Sequence, residues 1–142
     1  MINFIYYWIP ALAWMVFFFP TNDSLTSDST FYIIIPILKW LLPSASQLTL
    51  EGIHTAIRKV SHFLGYGFLA FLLFRAFRDK SMMFRWQWIF YAGLISAGYG
   101  VLDEYIQTLI PTRTGSFYDW MIDAAGSVII LVLISIKNKT KI

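Results

Sequence analysis

Apolar residues run almost unbroken from Ile2 to Phe19, from Val60 to Phe74, from Trp86 to Leu102 and from Trp120 to Ile136, and polar residues collect between these runs. The first run, about 18 residues at ~1.5 Å each, covers roughly 27 Å, close to the thickness of a bilayer core. The pattern predicts an all-α membrane protein with four transmembrane helices, over about residues 2–20, 58–76, 86–106 and 118–136. The first run reads as a retained helix and not a cleaved signal peptide, because no basic segment precedes it and Pro10 and Trp14 fit poorly in a signal sequence. Phe31 to Leu42 is also apolar but too short to span, is interrupted by Pro36 and Lys39, and is closed by Pro43. It predicts a short re-entrant or interfacial segment over about 31–43. Thr21 to Thr30 reads as a solvated loop, and Ser44 to Ile57 as a polar, weakly amphipathic lead-in whose His54 lies at the surface.

Composition agrees with this pattern. The chain of 142 residues is 58% hydrophobic and only 13% charged, with a mean hydropathy of +0.62; a soluble domain carries about 25% charged residues. One domain, residues 1–142, accounts for the length, since no linker, repeat or low-complexity run divides it. The absence of cysteine excludes disulfides, thiolate metal sites and cysteine nucleophiles. The net charge of +3 is small, and the basic residues stand in blocks beside apolar runs, which argues for membrane topology and against nucleic-acid binding. With the amino terminus inside, Arg75, Arg78, Lys80, Arg85, Lys137, Lys139 and Lys141 lie on the inner side, against Lys39, Arg58, Lys59 and Arg113 outside. That asymmetry predicts a multi-pass protein with both termini cytoplasmic.

The same orientation brings every unusual polar residue to one outer layer. Arg58, Lys59, His62 and Tyr66 enter the second helix there, Asp103, Glu104 and Gln107 leave the third, and Arg113, Ser116, Asp119 and Asp123 open the fourth. Asp103 and Gln107 are one helical turn apart, Glu104 borders the same sector, and Ser116, Asp119, Asp123 and Gly126 form a stripe. Pro111 and Gly115 bracket a connection short enough to make the last two helices antiparallel neighbours. Charged groups beside hydrocarbon are costly, so their concentration at one depth points to a site.

Each signal also has a plainer reading. Arg58 and Lys59 are the kind of residue that snorkels to headgroups, His62 the kind that hydrogen-bonds between helices, and Asp103 and Glu104 the kind that closes salt bridges with Arg113 or Arg58. Asp119 suits a helix N-terminus, whereas Asp123 lies a turn deeper and is harder to explain by solvation. Gly93, Gly98, Gly100 and Gly126 read as close-packing positions, and most of the aromatic residues as lipid-facing or interfacial.

With these residues in place, the chain resembles the VanZ-like family of small bacterial membrane proteins. The resemblance rests on Lys59, His62 and Tyr66 at the start of one helix, Glu104 and Gln107 at the end of the next, Arg113 and Ser116 in the loop, and Asp119, Asp123 and Gly126 opening the last helix. It covers about residues 57–133 and departs from the family pattern at Asp123, where asparagine is frequent. It implies the cytoplasmic membrane of a bacterium and a role in the cell envelope. The family's named member is associated with low-level teicoplanin resistance, so a link to glycopeptide tolerance is part of what the resemblance implies.

Three functions fit. In the first, the outer site binds or modifies an anionic, lipid-linked envelope precursor, with Arg58, Lys59 and Arg113 on phosphate or carboxylate and Tyr66, Asp103, Gln107, Ser116 and Asp119 completing the substrate contacts. In the second, an enzyme uses the same pocket, with His62, Glu104 and Asp123 as catalytic candidates. In the third, a structural helical bundle docks on another membrane protein. Transport fits poorly, because polar groups gather at one end of the helices and no repeat is visible. No cofactor is expected. The set His62, Glu104, Asp119 and Asp123 has donors for Mg²⁺, Mn²⁺ or Zn²⁺, but the neighbouring cations favour a metal-free site that gains an ion only with a phosphate-bearing substrate. Glu104 and Arg113 are expected to be coupled across the turn that joins their helices.

Overall fold

The computed structural model describes residues 2–18, 27–81, 83–110 and 115–139. Among these residues there are five helices and no strand: α1 (Ile2–Phe17), α2 (Ser27–Leu41), α3 (Gln47–Arg78), α4 (Trp86–Thr108) and α5 (Phe117–Lys139). Helix α3 is the axis of the molecule and packs against each of the other four.

Its length corrects the sequence-based boundary at residue 58. The polar stretch before Arg58 is not a separate lead-in but the first part of one 32-residue helix. A change from polar to apolar does not break a helix; proline and a cap do. Here Pro43 stands before the start, and Ser46 is the N-cap, its Oγ accepting the Thr49 N–H at 3.2 Å. No proline follows until after Arg78. At ~1.5 Å per residue α3 is about 48 Å long, more than the ~30 Å of a bilayer core. Lys59 and Arg75 are separated along it by about 24 Å, so the cations bracket a length that hydrocarbon can cover.

The remaining long helices alternate in direction around this axis. Helix α1 is antiparallel to α3: Trp8 meets Phe77 and the Arg75 guanidinium stacks over the Tyr6 and Tyr7 rings at one end, while Trp14 Nε1 donates to the Gly65 carbonyl at 3.0 Å nearer the other. Helix α4 is also antiparallel to α3, with Trp88 against Phe74 and Asp103 beside Tyr66. Helix α5 runs parallel to α3, with Asp119 near Lys59, Asp123 near His62 and Gly126 against Phe63. The start of α1 thus lies at the Arg75 end of α3, and the polar residues of α3, α4 and α5 meet near the opposite end.

Helix α2 occupies the region predicted as re-entrant or interfacial. It packs on the extra length of α3: Thr30 Oγ1 and His54 Nε2 lie 3.2 Å apart, Phe31 meets the His54 ring edge-on, and Leu38 and Leu50 are buried nearby in sequence terms on the two helices. His54 is therefore not a surface residue, being only 7% exposed. Tyr32, Ile33, Ile37 and Trp40 of α2 are left exposed.

Two of the five helices, α3 and α5, are long and apolar enough by themselves to cross a membrane. Helices α1 and α2 have 16 and 15 residues, and α4, with 23, is rich in Trp, Tyr and Gly and carries Asp103 and Glu104 in its last two turns. The distribution of polarity supports a lipid environment: Phe68, Phe71, Phe90, Leu94, Val128, Val132 and Leu133 project outward, whereas Ser96, Asp103, Asp123 and Ser127 are buried. A water-soluble domain is organised the other way round.

Small residues allow the helices this approach. A Cβ on Gly126 would run into the Phe63 carbonyl, one on Gly67 would meet Ile130 and the Gly126 carbonyl, and one on Gly100 would press on Trp120 and Tyr66. Gly98 differs from the expectation of close packing, since nothing lies within 4 Å of the corresponding position.

Candidate functional site

The end of the bundle away from Arg75 collects side chains from three helices in two layers. In the deeper layer, Tyr66 of α3 donates its hydroxyl to Asp103 Oδ2 at 2.7 Å, and Gln107, one turn on along α4, donates Nε2 to Asp103 Oδ1 at 3.0 Å. Asp103 is 2% exposed, so both of its oxygens are buried but supplied with donors. Asp123 of α5 is different. It is 1% exposed, His62 Nδ1 lies 3.3 Å from its Oδ1, and no hydrogen-bond donor among the described residues satisfies either carboxylate oxygen. His62, Asp103 and Asp123 each place one ligating atom within 4.8 Å of the others.

The outer layer is partly open. Lys59 Nζ and Asp119 Oδ1 form an ion pair at 3.3 Å, with 44% and 25% of the two side chains exposed. Arg58 follows the same helix, one turn before His62, and is half-buried. Glu104, nearly buried, accepts the backbone N–H of Ser116 on Oε2 at 2.6 Å, while its Oε1 has no partner among the described residues. This carboxylate reaches from the end of α4 to a peptide group at the beginning of α5, where unpaired N–H groups and the positive end of the helix dipole favour an anion. Gly115 lies against the Glu104 carbonyl, so the chain is drawn close to α4 as it enters α5. Arg113, the expected partner of Glu104, lies outside the described residues.

The structure therefore unites Lys59, His62, Tyr66, Asp103, Glu104, Gln107, Ser116, Asp119 and Asp123 at one end of the bundle, and it divides them. Asp103 belongs with His62 and Asp123, while Glu104 and Asp119 serve the start of α5.

Beneath this end lies a network the sequence reading missed. Ser96 and Ser127 hydroxyls are 2.8 Å apart, and both point to the Tyr66 carbonyl, Ser127 at 3.2 Å. Ser127 is also 3.2 Å from the Asp123 carbonyl. The available signal was a serine inside each of two apolar runs, Ser96 in one and Ser127, with Ser135 two turns on, in the other. Several aromatic residues read as lipid-facing are likewise interhelical donors: Tyr99 donates to the Met15 carbonyl at 2.6 Å and Trp120 Nε1 to the Ala97 carbonyl at 3.1 Å. Their polar atoms tie α1 to α4 and α4 to α5 while the rings fill space between helices.

These features define a small all-helical membrane protein with a buried carboxylate and imidazole cluster at one end. The family model described as VanZ/LLP1 matches residues 4–138, and the chain belongs to this family. No curated protein and no solved structure matches it.

Proposed function

We propose that the protein is a multi-pass component of a bacterial cell envelope whose polar end binds the anionic headgroup of a lipid-linked envelope precursor. The observation that carries this reading is the position of Lys59 and His62, partly exposed on α3 beside the buried acids at the polar end of the bundle. A cation there meets a phosphate without crossing hydrocarbon. At the start of α5 the Ser116 N–H is already taken by Glu104. An apolar groove of about 600 Å³ between α4 and α5, lined by Phe90, Leu94, Val128 and Val132, includes Ala97, whose carbonyl Trp120 binds, and offers a path for a lipid chain.

In this reading α1, α3, α4 and α5 all cross the bilayer, α2 lies on its outer surface with Tyr32, Ile33, Ile37 and Trp40 toward lipid, and both termini are cytoplasmic. The alternation of helix directions supports the arrangement, as does the excess of basic residues at the Arg75 end. Single cysteines are readily introduced into a chain that has none. A membrane-impermeant maleimide should label a cysteine at position 28 in intact cells and one at position 80 only after lysis. Labelling of position 80 from outside overturns the orientation.

Binding is tested with protein in phosphatidylcholine nanodiscs and a fluorescent polyprenyl diphosphate saccharide, with phosphatidylglycerol in a parallel arm to separate the precursor from bulk anionic lipid. Lys59→Ala should weaken saccharide-lipid binding about tenfold, the loss of roughly 1.4 kcal/mol of contact. The same change should alter stability by less than about 1 kcal/mol, because the Lys59–Asp119 pair is open to solvent. Turnover of the labelled lipid selects the enzymatic form of the proposal, with His62, Glu104 and Asp123 as its catalytic candidates. Neither binding nor turnover selects a structural bundle that docks on another membrane protein, a reading favoured by the closure of Asp103, Glu104 and Asp119 onto internal partners. Glycopeptide tolerance rests on the family alone, and no residue of the cluster argues for it.

A further inference from the structure

We propose that His62, Asp103 and Asp123 form a binding site for one divalent transition-metal ion of the Mn²⁺ or Zn²⁺ class. The central observation is Asp123: a carboxylate 1% exposed, inside a helical bundle, whose Oδ2 has no hydrogen-bond donor among the described residues and whose Oδ1 faces the His62 imidazole at 3.3 Å. The imidazole of His62 stands against it, with Nδ1 3.3 Å from Oδ1. Beside them stands a second buried carboxylate, Asp103. Two carboxylates desolvated within reach of each other repel, and a single imidazolium offsets one of them at most. A dication balances both and supplies the missing partners for Asp123 and His62 together.

The geometry suits an ion. Ligands at about 2.1 Å from a tetrahedral metal are spaced roughly 3.4 Å apart, and His62 Nδ1 lies 3.3 Å from Asp123 Oδ1. The third ligand atom, from Asp103, lies within 4.8 Å of the other two. Asp103 carries the support expected behind a metal ligand, with Tyr66 donating to one oxygen and Gln107 to the other. One nitrogen and a set of carboxylate oxygens suit Mn²⁺ or Zn²⁺ better than the all-oxygen ions Mg²⁺ and Ca²⁺. Three protein ligands leave coordination positions for water or a ligand oxygen, and His62, 27% exposed, marks the open side.

The donor set expected from the sequence, with Glu104 and Asp119 alongside His62 and Asp123, is thereby rearranged: Glu104 is engaged by Ser116, Asp119 by Lys59, and Asp103 takes their place. Of the cations expected to neutralise the acids, Arg58, Lys59 and Arg113, Lys59 is paired with Asp119 at the exposed rim and Arg58 stands one turn before His62. This inference does not depend on the lipid reading, since the experiment contains no precursor.

The test is titration of Mn²⁺ into chelator-treated protein in phosphatidylcholine nanodiscs, followed by the loss of the free-ion electron paramagnetic resonance signal, with Zn²⁺ as competitor. Wild type should bind one ion, and Zn²⁺ should displace it or be displaced by it. Asp123→Asn and His62→Ala should each weaken binding about tenfold or more, while Glu51→Gln, on the exposed part of α3, leaves it unchanged. Thermal unfolding gives a second readout: Mn²⁺ should raise the midpoint of wild type and of Glu51→Gln but not of Asp123→Asn. If Asp123→Asn does not fold, the partly exposed His62 still decides the question. No saturable binding of either ion by folded wild type below millimolar concentration, or binding that is indifferent to both His62→Ala and Asp123→Asn, overturns the proposal.

Discussion

Replacing Gly126 with leucine should destabilise the bundle by about 3 kcal/mol, the upper part of the range for overpacking a core. The obstacle is backbone and not a side chain. A Cβ at this position runs into the Phe63 carbonyl and comes close to the Phe63 Cα, so no rotamer change on α3 relieves it. The helices must separate, and with them Gly67, which faces the Gly126 carbonyl and Ile130 across the same crossing. Separation also pulls Asp123 away from His62, because both contacts lie within one turn of Gly126 or Phe63. Gly98→Ala is the matched control, since it stands in a helix with open space around it. It should be neutral or stabilise by up to about 1 kcal/mol, the difference in helix preference between the two residues. Unfolding followed by circular dichroism in mixed detergent micelles measures both. Equal losses at Gly126 and Gly98 would show that the α3–α5 crossing is not the close contact described.

Much of this crossing was legible in the chain, for a geometric reason. Residues three and four apart on a helix share a face whatever the tertiary fold, so the Asp103–Gln107 pair and the depth of Asp123 below Asp119 could be read from spacing alone. The restriction of polar residues to the ends of apolar runs fixed their common level in the same way. What spacing does not contain is azimuth between helices. Glu104 and Asp103 are adjacent, and only the packing of α5 on α4 decides that one reaches the Ser116 N–H while the other meets Tyr66. Ser96 and Ser127 looked like ordinary members of apolar runs for the same reason, although they are 2.8 Å apart in the structure. Polarity alone puts the start of this helix at residue 58, whereas the residues that end the preceding segment and cap α3 lie earlier, at Pro43 and Ser46. His54 followed from that error: on a helix it faces α2, whereas on a loop it would have faced water.

Tyr66→Phe should cost about 2 kcal/mol and Tyr99→Phe about 1 kcal/mol, although each removes one hydroxyl from a buried ring. The difference lies in the acceptor. Tyr66 donates to a carboxylate at 2.7 Å, and its loss leaves Asp103, 2% exposed, with Gln107 as its remaining described donor. Tyr99 donates to the Met15 carbonyl, a neutral group in the last turn of α1, at 2.6 Å. Distance alone would rank these two bonds equally, whereas charge and burial separate them, because a bond to an ion is worth roughly twice a neutral one. The membrane tempers the figure, since an unfolded chain in lipid also finds partners for its polar groups. A double-mutant cycle isolates the ionic part: in an Asp103→Asn background, which keeps the acceptor shape and removes the charge, Tyr66→Phe should lose about half of its effect. The same unfolding measurement serves for all of these variants. If Tyr66→Phe costs as much beside asparagine as beside aspartate, the hydroxyl acts by filling space between α3 and α4 and not by holding the Asp103 carboxylate.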